Sequence, residues 1–196
     1  MFEEFRKNFV LDETRSENEE TIVSMGINAT GWNEFFAEFS GRSFNNGLYR
    51  THSAGAIQEW NDIVCIAFPE FSNRIMCFGY DWLGRQFALD LRRGKSSEPS
   101  VLMFEPGTGY ALDIEVNFVE FHESEVEIHK DECLAVGFYN EWLNAGNEPI
   151  SHDKCAGYIV PLFLSGKDTI ENLELSDMEV YWVVLGQVLQ QVKGKS

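Results

Sequence analysis

The chain has 196 residues and a formal net charge of −17, from 32 Asp and Glu against 15 Lys and Arg. A phosphate-tracking nucleic-acid binder needs a basic stripe and a binder of anionic membranes a polybasic face, so neither direct nucleic-acid nor membrane binding fits this balance. Apolar residues make up 44%, with 16 Phe, 6 Tyr and 5 Trp, which supplies a core for one compact domain and excludes a disordered acidic tail.

The opening Met-Phe-Glu-Glu-Phe-Arg-Lys has no apolar signal region, and no apolar run approaches the ~20 residues that span a bilayer. A cytoplasmic location is expected. Phe2, Phe5 and Phe9 mark a short amphipathic stretch, followed by a polar run from Asp12 to Glu20 that reads as a loop. Thr30 is an N-cap candidate for a helix bearing Trp32, Phe35, Phe36 and Phe39, which Gly41 stops. A second helix begins near Ser53, carries Ile57, Trp60, Val64 and Ala67 on one face, and ends at Pro69.

The period then changes. Ile75–Tyr80 and Arg85–Leu91 read as strands joined by the turn Asp81-Trp82-Leu83-Gly84, with Phe87, Leu89 and Leu91 alternating with Gln86, Ala88 and Asp90. Val101–Phe104 and Tyr110–Ile114 repeat the arrangement. Phe118, Phe121 and His122 restore a helical period, and a longer helix is expected from Asp131 to Ala145 with Leu134, Phe138 and Trp142 as its buried stripe and Gly146 as its stop. Tyr158–Leu164 is expected as an edge strand because of Pro161. Ser176-Asp177-Met178-Glu179 forms a capping box for a last helix, apolar all round from Val180 to Leu185 and therefore expected to be largely buried. The class is α+β: an antiparallel meander of about four to five strands flanked by helices, with a helical N-terminal region over residues 1–50 and the α+β part over 51–196.

Few constellations carry chemistry. His129 with Cys133, and His152 with Cys155, have spacings that a helix would bring together, but the tighter Cys-x2-Cys repeats of zinc sites are missing, so no metal is expected. Cys65, Cys77, Cys133 and Cys155 read as buried thiols of a reducing compartment. There is no Gly-x-Ser-x-Gly elbow. Gly166-Lys167-Asp168-Thr169 fails as a phosphate loop, because Pro161 occupies the place of the leading glycine and Asp168 that of the hydroxyl residue. Glu120, Glu123, Glu125 and Glu127 could form acid/base pairs, yet catalysis needs carboxyls of differing burial and these read as a solvated face. No cofactor is implied. A small acid/base enzyme acting on a metabolite, and an adaptor module without a toxin, stay as alternatives to the reading below.

The charge is concentrated. Residues 101–150 hold 11 acids and only Lys130, a net of −10 within a quarter of the chain. Such a face either keeps the protein soluble or docks a basic partner, since dense negative potential steers association and complementary charge gives specificity. Proteins with essential cationic clefts are mostly nucleases and other handlers of nucleic acid.

Four ordered blocks carry a family resemblance: Cys77 to Ala88, Phe104 to Gly109, Cys155 to Leu164, and Asn172 to Trp182. The stretch Trp60–Leu189 resembles the C-terminal domain of immunity proteins that neutralise DNase effectors of type VI secretion. Phe44-Asn45-Asn46-Gly47-Leu48-Tyr49-Arg50 is similar to part of the GAD-like N-terminal region of such proteins, and the strand from Gly84 to Asp90 faintly resembles the wider SUKH group of immunity folds. The resemblance implies a non-enzymatic immunity role, by stoichiometric binding of a cognate basic nuclease toxin. Its motif glycines, prolines and aromatics read as fold determinants. The expected partner-binding residues are therefore the acids Glu120, Glu123, Glu125, Glu127, Asp131 and Glu132, with Trp82 either an exposed hot spot or a turn residue packed on the core.

Overall fold

The computed structural model describes residues 1–12, 27–95 and 98–194, so most of the polar run that follows Asp12 lies outside the described residues. Six strands form one antiparallel sheet in chain order: β1 (Ser43–Phe44), β2 (Tyr49–Thr51), β3 (Ile75–Asp81), β4 (Gln86–Lys95), β5 (Glu98–Glu105) and β6 (Tyr110–Asp113). A second, two-stranded sheet pairs β7 (Lys154–Tyr158) with β8 (Leu173–Asp177). The helices are α1 (Glu3–Asn8), α2 (Trp32–Phe39), α3 (Ile57–Ala67), the short turns α4 (Phe118–Glu120) and α5 (Val126–Ile128), α6 (Lys130–Leu134), α7 (Val136–Asn144) and α8 (Met178–Lys193). The α+β class and the meander are as expected. Strands β1 and β2 are additions, too short at two and three residues to show a period.

Helices cover both faces of the large sheet. On one side Phe78, Phe87, Leu89, Val101 and Met103 pack with Phe2, Phe5, Phe35, Phe118 and Phe121. On the other, Cys77, Tyr80, Ala88, Leu102 and Phe104 pack with Trp60 and Val64 of α3 and Trp182, Leu185 and Leu189 of α8. A bulge in β3 sets which face each residue takes: Cys77 pairs with Ala88 but Gly79 with Phe87, and the extra residue returns Tyr80 to the face of Cys77. Gly79 is needed there, because a Cβ would lie 2.7 Å from the Tyr49 hydroxyl and 2.9 Å from the Arg50 carbonyl oxygen.

With both faces covered, the alternation expected for β4 does not separate core from solvent. Gln86 and Asp90 are fully buried, and Leu91 is exposed. Both buried polar side chains are partnered: Asp90 accepts two bonds from Arg74, at 2.7 and 2.5 Å, and Gln86 Oε1 accepts from His52 Nε2 at 2.6 Å. Leu91 emerges where the β4–β5 register slips between Asp90 and Gly94.

Several boundaries differ from expectation. The N-cap of α2 is Gly31 at φ 77°, and Thr30 instead gives its hydroxyl to Glu98. Asp177 rather than Ser176 caps α8, accepting from the Val180 amide at 3.1 Å, and Ser176 lies one residue further back in β8, opposite Cys155. The α8 helix leaves Val180 and Val184 exposed. The strand expected at Tyr158–Leu164 lies earlier, at β7, and Pro161 leads into a 3₁₀ turn over Leu162–Leu164. The expected helix over 131–145 is two helices that meet at Ala135, which has φ 49°. All four cysteines are free thiols; Cys77, Cys133 and Cys155 are buried, and burial pushes the thiols of Cys133 and Cys155 up to about 12.

Two histidines lie inside the cores. His122 donates Nδ1–H to the Phe118 carbonyl at 2.9 Å and accepts the Tyr49 hydroxyl at Nε2, 3.0 Å away, within a shell of phenylalanines. Burial lowers the pKa of His122 and of His52 from 6.5 to about 3. Above pH 6.5 both are neutral in either state and cost nothing. As the pH falls below 6.5 the unfolded chain takes up two protons that the folded chain refuses, so stability is lost from there downward by about 1.4 kcal/mol per pH unit for each histidine. Urea midpoints measured from pH 7 to pH 5 should fall accordingly, and His122→Gln should remove about half of that histidine-dependent slope.

Candidate functional site

The acidic segment is built on one cap and one irregular turn. Asn117 Oδ1 accepts the Glu120 amide at 2.9 Å and Glu120 Oε2 accepts the Asn117 amide at 3.2 Å, a reciprocal cap that starts α4. Residues Phe121–Glu125 then form a π-helical turn. An extra residue in a helix turns everything after it by about 100° relative to an uninterrupted α-helix. An uninterrupted helix would place Ile128 over Phe121; the extra residue instead buries Val126 and leaves Ile128 70% exposed.

Phe118, Phe121 and His122 face the core as expected, which leaves the acids outside. Glu120, Asp131 and Glu132 are exposed; Glu123, Glu125 and Glu127 are half-buried. Glu127 pairs with Lys130 at 2.8 Å, and Glu125 and Glu132 form no ion pair among the described residues. Two of the six acids also hold the backbone: Glu120 in its cap, and Asp131, whose Oδ1 accepts the Gly137 amide at 2.6 Å and so starts α7. The six acids thus lie within one short stretch, with a single lysine among them and an exposed isoleucine between Glu127 and Asp131.

Trp82 is elsewhere. It is fully buried, its ring 4.9 Å from Tyr139 and 5.5 Å from Phe138, and its indole N–H donates to the Leu134 carbonyl at 3.0 Å. An exposed hot spot at this position is excluded, because α7 covers the ring. Its place explains the break at Ala135: the last carbonyls of α6 are taken by the β3–β4 turn, Leu134 by Trp82 and Cys133 by Arg85 Nη2 at 3.0 Å. Arg85 is in turn held by Asp81 Oδ2 at 2.6 Å, while Asp81 Oδ1 accepts the amides of Leu83 and Arg85. The β3–β4 turn is thus the buttress under the acidic segment.

The pairs with metal-like spacing do not converge. His129 is exposed and Cys133 buried, and among the described residues no group of three or more His, Cys, Asp or Glu is placed to hold a metal ion. No described helix is long and apolar enough to cross a membrane. Sequence reasoning missed Ile128, because its phase is set by the π turn, which leaves no mark in apolar spacing.

The comparisons bear on the same segment. No curated protein sequence matches the chain. The crystal structure of Atu4351 from Agrobacterium tumefaciens has the same fold, with a TM-score of 0.68 over 95% of this chain and 89% of that one, at 13% identity. The stretch that carries the acids, the α6–α7 break, β7, β8 and most of α8, residues 117–189, matches the family model of the type VI secretion system immunity protein Tdi1, C-terminal domain.

Proposed function

We propose that this protein is a cytoplasmic immunity protein that binds a cognate nuclease effector of type VI secretion and neutralises it stoichiometrically, without catalysis. The observation that carries this reading is the match of residues 117–189 to an immunity domain, because that stretch contains all six acids singled out by charge. A nuclease needs a cationic cleft to hold phosphates, and a dense acidic face is its electrostatic complement. Ile128, displayed by the π turn among the acids, supplies the apolar centre that charge alone lacks, with the acids as its polar rim.

Co-expression with the product of the adjacent gene, as the candidate effector, tests the reading. The expected result is a stable complex of equal stoichiometry that elutes as one species in gel filtration, and loss of plasmid cleavage in the purified complex. An effector that elutes separately, or a complex that cleaves plasmid as fast as the free effector, would overturn it.

A further inference from the structure

The large sheet has two edges, and they end differently. At β1 the chain itself runs alongside: Leu11 bridges Phe44, the Asp12 amide donates to the Ser43 carbonyl at 2.9 Å, and the Asn45 amide to the Val10 carbonyl at 2.9 Å. No described strand pairs beyond β6. The Ile114 amide donates to the Val101 carbonyl at 3.0 Å, and this sets the phase of β6: the main-chain groups of Leu112 turn inwards to β5, and those of Ala111 and Asp113 point outwards. None of these four outward groups has a partner among the described residues.

The side chains of this edge are unusual for one that stays bare. Tyr110 is 66% exposed and Leu112 41%, both on the same face of the strand. Edge strands are ordinarily blunted by Pro, Lys or a bulge, and Tyr110–Asp113 has none of these. At its far end the strand opens on a hollow of about 560 Å³ that Asp113 shares with Asn117 and Glu120, so the edge is continuous with the start of the acidic segment. Ser100 also lines this hollow, and its buried hydroxyl has no partner among the described residues.

Charge selects the occupant. Residues 98–127 hold eight acids and no Lys or Arg, and Arg93, the nearby arginine that lines the same hollow, is already paired with Asp113. A second copy of this chain laid along β6 would bring two such acidic tracts together. An extended basic segment meets complementary potential instead. We propose that the β6 edge takes up an extended segment of the partner protein as a seventh strand, with Ala111 and Asp113 forming the main-chain ladder, apolar side chains of the segment on Tyr110 and Leu112, and Lys or Arg at its alternate positions. The proposal rests on the immunity reading for the identity of the partner, but the edge itself is testable without it.

The probe is the peptide acetyl-Lys-Val-Lys-Val-Lys-amide, titrated into the ¹⁵N-labelled full chain and followed by NMR. Saturable shifts are expected to centre on the amides of Ala111 and Asp113. Methylating the central lysine's amide nitrogen removes one ladder donor and keeps every charge, and should weaken binding by about 10-fold; the peptide with Glu in place of Lys should not bind. Ala111→Pro removes an outward amide while leaving the Leu112 pairing with β5 intact, and should lose a similar factor, as should Leu112→Thr, which keeps a strand-forming residue without the apolar contact. Equal binding of the plain and methylated peptides, equal binding of the Glu peptide, or shifts that do not centre on β6 would overturn the proposal. A concentration-dependent dimer in sedimentation equilibrium that Ala111→Pro abolishes would make the occupant a second copy and overturn it as well. The two readings fail separately. If folded Ala111→Pro and Leu112→Thr form the nuclease complex with undiminished affinity, the edge is wrong and the immunity reading stands; if the peptide binds as described and no nuclease does, the reverse holds.

Discussion

Replacing Trp82 by Ala is expected to destabilise the protein by about 5 kcal/mol, at the upper end for truncating a buried aromatic. Two losses combine. The ring is fully buried against Phe138, Tyr139 and Trp142, so its removal leaves a cavity, and the Leu134 carbonyl at the end of α6 loses its hydrogen-bond donor. Since whole domains are stable by only about 5–15 kcal/mol, much of the variant should be unfolded at 37 °C. Trp82→Phe keeps most of the volume but not the donor, and should cost about 1–3 kcal/mol, the penalty of an unsatisfied buried polar group. Urea unfolding followed by far-ultraviolet circular dichroism measures both. The same variant separates a core residue from a contact: Trp82→Phe should bind the effector with unchanged affinity per folded molecule. A tenfold loss of affinity at unchanged stability would instead make Trp82 a contact residue.

Neutralising the acidic face should act on kinetics and leave stability nearly alone. The variant Glu123→Gln, Glu125→Gln, Glu127→Gln, Glu132→Gln spares Glu120 and Asp131, which hold the starts of α4 and α7. Its association with the effector at low salt should slow by about 10-fold or more, within the 10- to 1000-fold range that steering supplies. The difference should vanish towards 1 M salt, where the Debye length has shrunk from ~10 Å at 0.1 M to ~3 Å. Unfolding free energy should move by less than about 1 kcal/mol, because half-exposed surface pairs such as Glu127–Lys130 contribute little. Stopped-flow association across a salt series gives the result. Unchanged rates at low salt would remove the acids from the encounter and leave them a role in solubility.

Local patterning carried a large part of the fold. The aromatic spacing of α2, the apolar face of α3 and the four strands β3–β6 are each long enough to show a period, and the β3–β4 and β5–β6 turns contain their own glycines. What escaped was set by tertiary contacts. The break at Ala135 depends on Arg85 and Trp82 reaching the last carbonyls of α6, about fifty residues along the chain. The cap lies at Asp177 rather than Ser176 because pairing with β7 keeps the chain extended through Asp177, so that α8 starts one residue later. The acids of the candidate face were legible from charge density alone, whereas Ile128 depends on the π turn.

Inhibition by binding has a stoichiometry that inhibition by catalysis does not. Purified protein titrated into a fixed concentration of the effector nuclease, well above the dissociation constant, should reduce plasmid cleavage linearly and abolish it at one equivalent. Cleavage that persists at many-fold excess, or that disappears with a small fraction of an equivalent, would contradict the account.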